Sequence, residues 1–97
     1  DVANYDEAER VLRTAVGRDR LNPFAWYQLG VVYAARGDEP RARLASAEQQ
    51  VMQRNYPQAL RSAQMAMTGL PRGSSDWIRA QDISFQARAA LEQIRDR

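Results

Sequence analysis

The side chains closest to acid–base chemistry are two adjacent carboxylate pairs, Asp6-Glu7 and Asp38-Glu39. Both stand at the start of a helical pattern, where the helix dipole favours negative charge, so capping is the stronger reading of them. A base poised near neutrality is most often histidine, and the 97-residue chain has none. It has no cysteine either, which excludes thiol nucleophiles, disulfides and thiolate metal ligation. No catalytic residue, metal site or other cofactor is therefore expected in this segment.

The remaining charge is arginine. All 14 basic residues are Arg, balanced by 12 acids to a net charge of +2, with a sequence pI near 9.5. They are scattered without a block of like charge, which fits a GC-rich coding bias and a solvated face better than a phosphate-tracking surface. Nucleic acid is accordingly the least favoured macromolecular partner. Hydrophobic residues make up 44% of the chain, an ordinary globular fraction, and no apolar run approaches the roughly 18 residues of a membrane span. The chain opens on Asp1 without a secretory signal pattern, and is read as the C-terminal fragment of a longer protein.

The elements that must position these residues follow from period and punctuation. Helices are expected over about Tyr5 to Val16, Pro23 to Arg36, Glu39 to Gln53, Tyr56 to Thr68 and Asp76 to beyond Ile94, with no strand pattern between them. Asn4, Asn22, Asp38, Asn55 and Ser74 or Ser75 are the expected N-caps. Gly17 and Gly37 are the expected left-handed helix stops. Helix one should bury Ala8, Val11, Leu12 and Ala15. Helix three should bury a thin stripe of Leu44, Ala47, Val51 and Met52, and helix four should bury Ala59, Leu60, Ala63, Ala66 and Met67. Helix five should bury Ile83, Ala87, Ala90, Leu91 and Ile94. Helix two is apolar almost all round, which predicts burial on more than one side.

The chain also matches itself. Asn4, Tyr5, Ala8, Arg10, Ala15 and Trp26 recur as Asn55, Tyr56, Ala59, Arg61, Ala66 and Trp77 at a constant offset of 51 residues. That offset is about one and a half times a 34-residue helical-hairpin repeat, or three helices. Helix one thus corresponds to helix four, and helix two to helix five.

The spacing Trp26-x-x-Leu29-Gly30-x-x-Tyr33 followed by Gly37, with Tyr5, Ala8 and Ala15 before it, resembles the tetratricopeptide repeat (TPR). The resemblance is specific over residues 3–37 and weaker over 54–77. It implies an all-α fold of about five antiparallel helices stacked as a short right-handed solenoid over 1–97. It also implies a protein or peptide partner and no small-molecule substrate. Carried onto matching positions, the partner groove would comprise Phe24, Tyr27 and Val31 on helix two with Ile78, Arg79, Asp82 and Phe85 on helix five, although each could equally pack against a neighbouring helix.

A narrower likeness rests on Gly37-Asp38-Glu39, on Leu44 to Glu48, on Tyr56 to Leu60 and on Gly73 to Ile83. These runs resemble the C-terminal TPR region of bacterial periplasmic zinc metalloproteases that act in outer-membrane protein quality control. The resemblance implies a catalytic HExxH helix upstream, which this sequence lacks, and a periplasmic address. The alternative is a stand-alone cytoplasmic TPR adaptor.

Overall fold

The computed structural model describes residues 2–96, with side chains from Asn4 to Asp96. Five helices follow one another: α1 (Val2–Arg18), α2 (Pro23–Ala35), α3 (Glu39–Met52), α4 (Tyr56–Gly69) and α5 (Ser75–Arg95). No strand occurs among the described residues, and no helix there is long and apolar enough to cross a membrane. The fold is all-α. Short loops fold consecutive helices back on one another, giving an elongated body of 49 × 26 × 19 Å.

Local chemistry sets most boundaries. The Asn22 side chain accepts hydrogen bonds from the Phe24 and Ala25 backbone N–H groups, and Pro23 occupies the first turn, where a missing N–H costs nothing. Asp38 caps α3 through the Arg41 N–H and Ser74 caps α5 through the Trp77 N–H. Asn55 is the N-cap of α4 by position, but its side chain makes no capping bond.

Helix α2 ends at Gly37, whose φ of 79° places it in the left-handed region, while the Asp38 N–H donates to the Tyr33 carbonyl. Helix α3 ends in the same geometry: the Asn55 N–H donates to the Gln50 carbonyl. Here the left-handed residue is Arg54, at φ 61°. Nothing in an arginine announces that role, so the sequence could not supply it.

Two expectations fail at α1. The helix begins at Val2, so Asn4 lies inside its first turns instead of capping it; an exposed Asn costs a helix well under 1 kcal/mol, less than the extra turn gains. Gly17 is not a left-handed stop either, because the helix runs through it to Arg18. The following turn is held by Asp19 N–H to the Ala15 carbonyl and by the Trp26 indole N–H to the Arg20 carbonyl at 2.9 Å.

Helix α3 is the central element: it packs against α2, α4 and α5, while α1 packs on α2 alone. Alanines make this possible. Ala45 and Ala47 on α3, Ala59, Ala63 and Ala66 on α4, and Ala80 and Ala87 on α5 are all essentially inaccessible, and their small side chains let the helix backbones approach closely. Leu44, Val51 and Ile83 fill the larger spaces of this core. A second, smaller core gathers Val16, Ala25, Leu29, Tyr33 and Ala42, with Leu12, Ala15 and Trp26 half-buried against it.

The stripes shift accordingly. Val11 and Ile94 are exposed, and Val16 takes the inward place on α1, because among the described residues α1 packs on α2 alone whereas α4 packs on both α3 and α5. Met52, Leu60 and Met67 are only partly buried, as are Ala90 and Leu91. Helix α2 is not enclosed all round: Phe24, Tyr27 and Val31 are exposed along one edge of it.

Candidate functional site

Because α1 does not reach α3 or α5, a cleft of about 380 Å³ opens between them. Its floor is Trp26, Leu29 and Tyr33 of α2 with Leu44 and Ala45 of α3; its walls are the C-terminal end of α1, with Arg13 and Gly17, and the N-terminal end of α5, with Asp76 and Arg79. The volume lies within the range of ligand pockets, which combine an apolar lining with a few placed polar groups.

Glu48 organises one end. Its carboxylate is 2% exposed and accepts two hydrogen bonds from Arg79, at 2.9 Å from Nε and 2.7 Å from Nη2, a paired geometry that only a guanidinium supplies. Arg20, in the turn after α1, approaches the same carboxylate at 3.5 Å. One buried acid thus ties the α1–α2 turn, α3 and α5 together. The hydrogen bond to Glu48 raises the Arg79 pKa above its ordinary value, outweighing burial.

Arg41 lies between Asp76 of α5, at 3.2 Å, and Asp38, at 3.4 Å. Burial opposes its charge, but the hydrogen bond to Asp76 and the two carboxylates prevail and raise its pKa. On the opposite wall Arg13 contacts Glu9 at 3.3 Å, and Glu9 also accepts from Arg36 at 3.1 Å.

Tyr33 is the buried polar side chain of the floor, 6% exposed, with a hydroxyl that has no hydrogen-bond partner among the described residues. Burial raises its pKa above the usual phenol value, with Arg13 and Arg41 pulling the other way. The hydroxyl therefore stays protonated at neutral pH and remains a donor facing the cleft.

A second, shallower groove of about 260 Å³ lies between α2 and α3, lined by Tyr27, Gly30, Val31, Ala34, Ala42 and Arg43 among others. Of the seven positions singled out in the sequence, Arg79 lies in the larger cleft, and Tyr27 and Val31 lie in this groove. Phe24, Ile78, Asp82 and Phe85 line neither and are exposed. Ile78, Asp82 and Phe85 share one face of α5 at i, i+4, i+7, about a quarter turn from Arg79. The sequence reading missed Glu48, Arg13, Arg20, Arg41 and Tyr33. Glu48 carried one usable signal, an acid amid the alanine-rich inward positions of α3.

Among the described residues no group of His, Cys, Asp and Glu could hold a metal ion. No family model, curated protein or solved structure matches the chain.

Proposed function

We propose that this domain is a protein-interaction module that docks an extended peptide segment in the cleft between α1 and α5. The observation that carries this reading is the cleft itself: an aromatic and aliphatic floor on two helices, walls from two others, and polar groups converging on it. TPR-like stacking of the helices is part of the same proposal, supported by the Trp26 to Gly37 signature and the 51-residue self-match. Placement beside the catalytic domain of a periplasmic zinc metalloprotease rests on the sequence resemblance alone, and a stand-alone adaptor would use the cleft in the same way.

Peptides selected from a displayed random library, then measured by fluorescence anisotropy against variants, test the docking site. A Cβ on Gly17 would meet nothing within 4 Å, so Gly17→Trp fills the cleft mouth without disturbing the core. Binding should fall at least tenfold in Gly17→Trp and stay unchanged in Tyr27→Ala and Val31→Ala. The reverse pattern would move docking to the shallower groove.

A further inference from the structure

The cleft holds a donor that the fold does not use. Tyr33 is more than nine-tenths buried as a residue, and its hydroxyl makes no hydrogen bond among the described residues. Nor is it sealed in, since no fully inaccessible side-chain N or O lacks a partner. It opens onto the cleft. The charged groups that act on it are Arg13 from α1, Arg41 from α3, Glu9 and Asp76.

These arginines have donors to spare. A guanidinium carries five N–H groups in a fixed fork. Arg13 uses one on Glu9, and Arg41 uses its Nε on Asp76 and one Nη on Asp38. Arg20, exposed at the cleft edge, meets Glu48 at 3.5 Å without forming a hydrogen bond to it. Carboxylates are also shared: Glu9 serves Arg13 and Arg36, and Glu48 serves Arg20 and Arg79.

We propose that the cleft is a carboxylate-recognition site for an acidic peptide segment: a Glu or Asp side chain of the partner accepts from the Tyr33 hydroxyl between Arg13 and Arg41, and a neighbouring apolar residue covers Trp26 and Leu44. This rests on the docking reading above and adds the chemistry of the partner. A nucleic acid is the poorer occupant. Its phosphates carry charge at every residue, and Glu48 and Asp76 in the same lining would repel such a chain, whereas a single carboxylate can sit at the arginine end with an apolar neighbour on the floor.

The probes are two fluorescein-labelled twelve-residue peptides, one alternating Gln with Leu (the Gln peptide) and one identical but for a single central Glu in place of a Gln (the Glu peptide), with a twelve-nucleotide oligouridine as third ligand. The Glu peptide should bind about tenfold or more tighter than the Gln peptide at low salt, the worth of a charge-assisted hydrogen bond. Tyr33→Phe keeps the ring and removes only the unpartnered hydroxyl, so it should weaken the Glu peptide about tenfold, leave the Gln peptide unchanged and keep the wild-type melting temperature. Arg13→Gln, on an exposed wall, should act in the same direction. Equal affinity for both peptides, with both lost in Gly17→Trp, would overturn acidic recognition and leave the docking reading standing. Failure of both peptides to bind would overturn both, and tighter binding of oligouridine than of the Glu peptide would replace the peptide with a nucleic acid.

Discussion

Arg79→Ala should lower stability by about 3 kcal/mol, because it strands the Glu48 carboxylate in the interior without its paired donors. The figure is taken from the low end of the range for broken buried ion pairs, since Arg20 remains at 3.5 Å as a partial substitute. For a domain of this size that corresponds to a melting temperature lower by roughly 12–24 °C. The penalty belongs to the unpaired charge, not to the loss of a stabilising contact. The double variant Glu48→Gln/Arg79→Met, which removes both charges and keeps the side-chain volumes, should therefore recover most of the loss. A melting temperature for Arg79→Ala within a few degrees of wild type would show that Glu48 is not the buried tie between α3 and α5 described above.

Gly69→Ala should destabilise the domain by about 1–3 kcal/mol, the usual cost of overpacking. Helix propensity alone points the other way, since alanine is favoured over glycine by about 1 kcal/mol in a helix interior. Packing decides the sign. A Cβ on Gly69 would lie 2.5 Å from Cγ and 3.1 Å from Cβ of Pro40, where the end of α4 crosses the start of α3. The proline ring, fixed in the first turn of α3, cannot rotate away. Thermal melts of Gly69→Ala and of Gly69→Ala/Pro40→Ala check this: the second substitution should relieve the first. An increase in melting temperature on Gly69→Ala alone would mean that the α3–α4 crossing is looser than described.

Gly69 also shows where sequence reasoning stops. In the sequence it reads as a helix stop, with Leu70-Pro71 after it, and the helix does end there; its close approach to Pro40, 29 positions earlier, has no local signature. Gly30 shows the converse. Its position in the Trp26 to Tyr33 pattern predicts a close helix neighbour, and a Cβ there would meet the Ala45 Cβ at 3.4 Å, an ordinary contact.

The helices themselves were legible because their signals are local: the Asn22-Pro23, Asp38 and Ser74 starts and the Gly37 stop depend on residues within one turn. The site was legible only in part. Exposed aromatics such as Phe24 and Tyr27 stand out by type, whereas the cleft arises from the failure of α1 to reach α5, a fact about packing between distant elements. Arg13 reads as a surface arginine and Arg79 as a groove residue, and only the Glu48 and Tyr33 side chains between helices show what they face.

The two tryptophans permit a direct test of the docking site. Trp26 lines the cleft, whereas Trp77 lies outside it with the Arg72 guanidinium 5.9 Å from its ring. In a nitrogen-15 correlation spectrum the two indole N–H signals can be assigned with Trp26→Phe and followed while a selected peptide is added. The account predicts that the Trp26 signal shifts in a saturable manner and the Trp77 signal stays in place. Saturable binding that leaves the Trp26 signal unmoved would contradict it.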